Sequence, residues 1–466
     1  MVTGPVCAPP EAPSTTSDQS GSSSAGRDHS ADSPPSRFYA GMLLPVGVAA
    51  LIQSLYLWDV RRTLYHNGDA IYYDLQAKLL TEGYWFINPY DFAWKSTITP
   101  SATHPPLTTL VLALADEIGA SSWAWHMVVM AVIFVFAVLI CGFVGRSLAG
   151  PRAGVVVALV VAGYPYLWVN PGAVLPETIE LLVVALVLWA VLRFWNRPRL
   201  LTAAELGLYL GLAALARSEL ILLILLIGVP LILLCRGLTL MGRLKNLLGM
   251  GLIVAVVVGP WVGRNLTTFH HRELLSSEGG VTLETANCKA TYYGADIGWW
   301  SFACDDATVP AGADESDMDV AARRVGERYI ETNESRFAEV MAVRVLRVWD
   351  LYRPVQQAHL DQSDARPAVI SEAGAVYFYL LVPVAVLAIG ALRRRRVIVF
   401  PLVALVATAT VAAALFYANG RYRVEGDLGV AILGGVGIDV LLTLHIQRAA
   451  AKALTTVRGP DRQPRC

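Results

Sequence analysis

Long uninterrupted apolar runs, rather than alternating or striped patterns, dominate this chain. They cover residues 38–58, 123–145, 153–170, 173–194, 203–216, 219–235, 246–263, 374–392, 397–417 and 427–446. A bilayer core about 30 Å thick needs about 20 apolar residues per crossing, so these runs predict about ten transmembrane helices, 203–216 being the short one. Leu107 to Leu114 is too short to cross and predicts a helix lying at the interface. Residues 1–37 are mostly Ser, Pro, Gly, Ala and Asp. Such a segment buries too little surface to offset its ordering entropy, which predicts a disordered tail. No basic stretch leads directly into an apolar run there, so it does not read as a signal peptide. The expected fold class is an all-α polytopic membrane protein. Its transmembrane domain spans 38–446, with long loops at 59–122 and 264–372 and a C-terminal tail at 447–466.

Composition narrows the class further. Of 466 residues, 55% are hydrophobic and 16% charged, whereas a soluble domain carries about a quarter charged residues. A formal net charge of +0 excludes a strongly basic nucleic-acid binder. The basic residues fall in alternate short loops: Arg146 and Arg152; Arg193, Arg197 and Arg199; Arg236, Arg243 and Lys245; Arg393 to Arg396. By the positive-inside rule these loops and both termini are cytoplasmic, which puts the two long loops outside. Cys288 and Cys304 then share one external loop, while Cys141 and Cys235 lie in spans and Cys7 and Cys466 in the tails. An oxidising exterior lets Cys288 and Cys304 pair, worth about 3 kcal/mol for a loop of about fifteen residues; the other outcome is two free thiols.

Several charges remain that topology does not explain. Arg61 and Arg62 follow the first span, Arg217 and Glu219 lie between two spans, Arg264 ends another, and Arg421 and Arg423 flank Tyr422. Basic residues at outer helix ends run against the usual bias. Either they snorkel singly to the interface or they share an anionic ligand, since the guanidinium fork matches phosphate. Arg217 also has Glu219 close enough for a local ion pair. Acids occupy the same level: Asp59, Asp69, Asp74, Glu177, Glu219, Glu425 and Asp427. A carboxylate there suits general-base work or metal ligation, or serves as a helix cap, as Asp69 can for the helix through Tyr72 and Tyr73. His104, before Pro105 and Pro106, can hydrogen-bond its own turn, orient a carboxylate or bind a metal.

Taken together these pieces resemble the C-type (GT-C) integral-membrane glycosyltransferases. The matching stretches are Gly68-Asp69-Ala70-Ile71-Tyr72-Tyr73, His104-Pro105-Pro106-Leu107, Pro176-Glu177-Thr178, Gly211-Leu212-Ala213-Ala214-Leu215-Ala216-Arg217-Ser218-Glu219, Pro260-Trp261-Val262-Gly263-Arg264-Asn265 and Arg421-Tyr422-Arg423. They occur in family order and are most similar to the bacterial branch related to protein O-mannosyltransferases (family 39) and the lipid A aminoarabinose transferase. Asn287-Cys288, Gly298-Trp299-Trp300 and Cys304 resemble an actinobacterial subgroup. The protein O-mannosyltransferases usually carry Asp-Glu where this chain has Asp69-Ala70, leaving a single acid.

The resemblance implies transfer of a hexosyl or pentosyl group from a polyprenyl-phosphate donor, with inversion, at the outer face of a bacterial plasma membrane. The acceptor is a cell-envelope glycan, lipid or protein. Asp69 matches the family's base and Glu177 its second acid, which holds the acceptor or a divalent metal. Metal use varies across the superfamily, so no cofactor is assigned and the metal ligands are unknown. Arg264, Arg421, Arg423, Arg61 and Arg62 are the candidate donor-phosphate residues, with His104, Tyr73, Arg217 and Glu219 beside them. Membrane lipids are the other expected partners. Two other classes fit an apolar chain of this length: a transporter or lipid flippase, and an inactive relative serving as an assembly subunit. A transporter would place ionisable groups at mid-membrane and show repeated halves; here the charges gather at helix ends.

Overall fold

The computed structural model describes residues 35–60 and 68–457. The 1–37 tail up to residue 34, together with Arg61, Arg62 and residues 458–466, lies outside the described residues. Among the described residues the fold is helical, its sole β-bridge joining Ile87 to Pro100.

In chain order, α1 (Pro35–Val60) leads into three short helices, α2 (Gly68–Thr81), α3 (Pro89–Lys95) and α4 (Leu107–Glu117). Then come α5 (Trp123–Ala149), α6 (Pro151–Gly163), α7 (Pro165–Trp168), α8 (Asn170–Ala173), α9 (Glu177–Asn196) and α10 (Leu200–Ala216). A 3-10 turn and a π segment precede α11 (Val229–Leu234), followed by α12 (Leu240–Thr268). The second long connection carries α13 (Gly279–Ala286), α14 (Lys289–Tyr292), α15 (Glu315–Thr332), α16 (Glu334–Val348) and α17 (Pro354–Leu360). The chain closes with α18 (Ala368–Arg394), α19 (Phe400–Leu415) and α20 (Val424–Val457).

Each of the ten apolar runs coincides with helix, but they are not ten equal rods. Among the described residues, six helices are long and apolar enough to cross a membrane: Arg37–Val60, α5, α9, α12, α18 and Gly420–Ala450. The run at 153–170 is instead a pair, Pro151–Gly163 and Pro165–Ala173, bent by 65°. Pro165 has no N–H for the preceding turn and its ring forbids a straight continuation, so the chain restarts there. Leu200–Ala216, Ser218–Leu234 and Phe400–Leu415 are shorter apolar helices. Within the second of these, the π segment Ile224–Gly228 stands just ahead of Pro230, where the same missing donor disturbs the ladder. The segment expected to lie at the interface is α4, which turns Leu110, Leu114 and Ile118 outward.

The helices close on one another through small residues. A Cβ on Gly207 would stand 2.4 Å from the Met250 carbonyl oxygen, so α10 and α12 touch backbone to backbone. Gly435 of α20 meets the Val157 backbone of α6 in the same way. This packing makes α9 the most enclosed of the six long helices. Its N-terminus, and with it Glu177, therefore sits in the middle of the bundle end that carries the two long connections.

Candidate active site

Four elements deliver the site to that end. The first is α2, whose opening turn carries Asp69. Tyr72 shares a hydrogen bond with Ser101 (2.6 Å), Gln76 donates to Tyr72 (2.8 Å), and Thr109 donates to Gln76 (3.0 Å). His126 reaches both Asp74 (2.9 Å) and Asp116 (2.6 Å), tying α2, α4 and α5 together. Asp69 is thus fixed by buried polar contacts one and two turns beyond it.

The second element is the turn before α4. The His104 ring stacks on Tyr73 (4.9 Å between ring centres) and meets Tyr72 edge-on. Its Nδ1 lies 3.2 Å from Glu278 and its Nε2 3.8 Å from Asp69. Burial by itself would lower the imidazole's pKa; the facing charges of Glu278 and then Asp69 raise it above its ordinary value instead. The third element is the α9 start with fully buried Glu177. The fourth is the 3-10 turn Gly420–Arg423 that leads into α20.

Arg421 joins them. Its Nε donates to Glu177 (2.6 Å), and its Nη1 donates to Asp69 (2.7 Å) and to Asp364 (3.1 Å). Three carboxylates from three distant stretches of chain thus share one guanidinium. Asn419 sets the geometry, accepting from the Arg421 N–H (2.9 Å) and donating to Asp364 (2.7 Å). Arg217 closes the cluster from the end of α10: it bonds Glu177, holds Glu219 at 2.6 Å, and lies over the Tyr422 ring at 4.8 Å. Burial would raise the Asp69 carboxyl, but the charges of Arg421 and His104 and the Arg421 hydrogen bond outweigh it and hold it at about 2. The group is therefore ionised at any ordinary pH, and this contribution to stability is lost only as pH falls from about 4 towards 2.

Of the residues singled out in the sequence, Asp69, Tyr73, His104, Glu177, Arg217, Glu219 and Arg421 come together here. Two arginines do not. Arg264 donates to the Ser101 and Phe86 carbonyls (both 2.9 Å), stapling the loop before α4 to α12. All three guanidinium nitrogens of Arg423 are taken, by Asp427 (2.9 Å twice), Asp350 (2.5 Å) and the Val348 carbonyl (2.9 Å). Arg61 and Arg62 lie outside the described residues. Three members of the site had escaped notice: Asp364, Glu278 and Arg366. Arg366 is fully buried beside the cluster and donates to Asn170 at 2.6 Å. No recognisable motif surrounds them in the second long connection, and only its folding over the α9 end gives them a place.

The Cys288–Cys304 disulfide is present. Iodoacetamide should label neither thiol in the native, unreduced protein but both after reduction, as read by peptide mass mapping; labelling without reductant would show the bridge unmade. Among the described residues, one set of side chains has metal-ligand spacing: His270, Asp314 and Asp317. It shares no residue with the Arg421 cluster, and Asp314 there caps α15 through the Ser316 and Asp317 amides.

The profile of a family described as dolichyl-phosphate-mannose-protein mannosyltransferase matches residues 103–263, the stretch from the residue before His104 to Gly263 within α12. No curated protein matches the sequence. Among solved structures, the chain is similar to the archaeal oligosaccharyltransferase AglB from Archaeoglobus fulgidus in complex with an inhibitory peptide and a dolichol-phosphate. The TM-score is 0.51 at 16% identity, covering 92% of this chain and 52% of that one. The fold is that of the GT-C glycosyltransferases. An Archaeoglobus fulgidus oligosaccharyltransferase tethered with an acceptor peptide gives TM-score 0.51 at 14% identity over 90% of this chain and 51% of that one. The chain thus spans about half the length of AglB. ArnT from Cupriavidus metallidurans bound to undecaprenyl phosphate gives TM-score 0.39 at 15% identity, over 85% of this chain and 77% of that one. Within this GT-C fold the Arg421 cluster lies where α2, α9, α20 and the second long connection meet.

Proposed function

We propose that this chain transfers a hexosyl or pentosyl group from a polyprenyl-phosphate donor to an acceptor on the cell envelope, with inversion at the anomeric carbon. The observation that carries the reading is the Arg421 hub: an ionised aspartate, a buried glutamate and two arginines meeting at one end of the bundle. A lipid-linked donor keeps its tail in the bilayer, so its phosphate presents itself at this level. Nη2 of Arg421 has no hydrogen-bond partner among the described residues, and it is the nitrogen that receives the donor phosphate. Drawing the guanidinium toward that phosphate loosens its hold on Asp69 and makes the carboxylate a better base than it is in the free protein.

In the reaction the acceptor hydroxyl gives its proton to Asp69 as its oxygen bonds to the anomeric carbon from the face opposite the phosphate. The carbon–oxygen bond to phosphate breaks, and polyprenyl phosphate departs with the electron pair, its charge held by Arg421 and Arg217. His104, stacked on Tyr73, orients Asp69 from behind. Glu177 receives hydrogen bonds from both arginines and keeps them in register. Arg421 already bridges Asp69 and Glu177, and no step is routed through a metal. Arg264 and Arg423, whose hydrogen bonds go to the surrounding fold, are left out of the phosphate set.

The side of the membrane follows from charge. Arg146, Arg193, Arg236 and Arg393 to Arg396 cluster at the opposite helix ends, the cytoplasmic ones by the positive-inside rule. The test is lipid analysis of a bacterium deprived of this protein. One polyprenyl-phosphate sugar should accumulate and one envelope component should lose that sugar; unchanged pools of both would count against the reading.

A further inference from the structure

The second long connection is built with unusual rigidity around a short aromatic segment that the reaction above does not use. Gly298 takes φ +80°, a conformation glycine enters freely. Its carbonyl accepts from the Ala418 N–H at 3.0 Å, which pins the segment to the end of α19. Arg347 donates to the Ile297 carbonyl (2.6 Å) and the Ala295 carbonyl (2.8 Å). Arg344 donates to the Ala286 carbonyl (2.6 Å) and to Asn287 (3.0 Å). Both arginines are fully buried, and among the described residues neither pairs with a carboxylate. Burying a guanidinium on carbonyls alone is costly, so the position of this loop matters. The Cys288–Cys304 bridge closes the same stretch.

What the loop positions is an aromatic wall. Trp300 meets Phe302 edge-on at 4.8 Å and lies 6.3 Å from Tyr417. Tyr417 packs on Tyr422 at 5.2 Å, their hydroxyls 3.0 Å apart. Tyr422 carries the Arg217 guanidinium on its face. The wall thus runs from an exposed phenylalanine down to the arginines of the proposed phosphate site. Trp300, Tyr417 and Tyr422 each keep part of their surface open. Among the described residues the indole N–H of Trp300 has no acceptor, an unusual state for a shielded donor. On the far side of the cluster, Tyr72 and Tyr73 are fully buried and offer no face.

We propose that Trp300, Tyr417 and Tyr422 form the platform on which the donor's sugar ring rests. Aromatic faces matched to C–H surfaces, with indole and phenol groups at the edges, suit a pyranose, whose ring is apolar on one face and hydroxylated at its rim. In a sugar phosphate a single oxygen separates the anomeric carbon from phosphorus. A phosphate on Arg421 and Arg217 therefore places its sugar against whatever borders them, and Tyr422 does. A small rotation of the indole frees its shielded N–H to donate to a ring hydroxyl. This assignment rests on the polyprenyl-phosphate reading above and adds to it a residue-level basis for sugar selection.

The experiment compares three probes on the purified full-length protein in lipid nanodiscs: undecaprenyl phosphate, undecaprenyl phosphate bearing one hexose, and a free hexose oligosaccharide. Trp300→Leu should weaken the sugar-bearing lipid about tenfold and leave undecaprenyl phosphate unchanged. Trp300→Phe, which keeps a ring and loses the N–H, should fall between the two. Equal weakening of both lipids, or of neither, would overturn the platform. Weakening confined to the oligosaccharide would assign the wall to an acceptor and overturn it as a donor site. Should neither lipid bind the unaltered protein, the polyprenyl-phosphate reading itself fails and takes the platform with it. An unchanged unfolding temperature for Trp300→Phe keeps a folding defect from imitating the result.

Discussion

Asp69→Asn lowers sugar transfer by about 10²–10⁴-fold, the range that removing a positioned general base produces. The substitution keeps the size of the side chain and one oxygen to accept from Arg421 (2.7 Å), so the protein still reaches the membrane. Donor binding should be equal or tighter, because Arg421 is no longer drawn to a full negative charge. The measurement is a single-turnover assay with polyprenyl-phosphate sugar in proteoliposomes, paired with a binding isotherm for the same lipid. Transfer within threefold of the unaltered rate would remove Asp69 as the base.

Arg421→Ala has a different signature, since it damages chemistry and fold together. Asp69, Glu177 and Asp364 lose the cation they share, and among the described residues Arg217 is the one cation left in contact with the fully buried Glu177. Taking away one partner of a buried ion pair costs about 3–5 kcal/mol, because the remaining charge is left uncompensated. Transfer should become undetectable and the unfolding temperature should drop by several degrees. Arg421→Lys separates the two effects. Its single ammonium can neutralise the acids but cannot reach three carboxylates and a phosphate from one planar fork. It should recover most of the stability and little of the activity. Full activity in the lysine variant would mean that charge alone, not the geometry of the fork, serves the donor.

How much of this was legible in the sequence depended on what kind of signal each residue carries. Apolar runs located the helices because the bilayer demands length and hydrophobicity and little else. They did not show that 153–170 breaks at Pro165 and bends by 65°, since a run tolerates a kink when neighbours re-satisfy the backbone. Asp69, His104 and Glu177 were visible because each stands at or just before a helix start beside glycine or proline, and Arg217 because it ends a helix two residues before Glu219. Arg421 and Arg423 looked equivalent. Two positions apart on one 3-10 turn, they point in different directions, one to the Asp69 cluster and the other to Asp350 and Asp427. That distinction exists only in three dimensions. Asp364 and Glu278 were invisible for a related reason, being acids in a polar connection where acids are common. Arg264 illustrates the opposite case, a charge at an expected level whose carbonyl partners hold the first connection in place.

The most direct test follows the anomeric carbon. Purified protein in proteoliposomes would be given a polyprenyl-phosphate sugar of known anomeric configuration and an envelope extract as acceptor. The linkage in the product would be read by NMR, alongside the polyprenyl phosphate released. Direct attack opposite the phosphate, with Asp69 as base, predicts the inverted configuration and one released lipid phosphate for each sugar transferred. Retention of configuration, or donor left intact with a competent acceptor present, would contradict it.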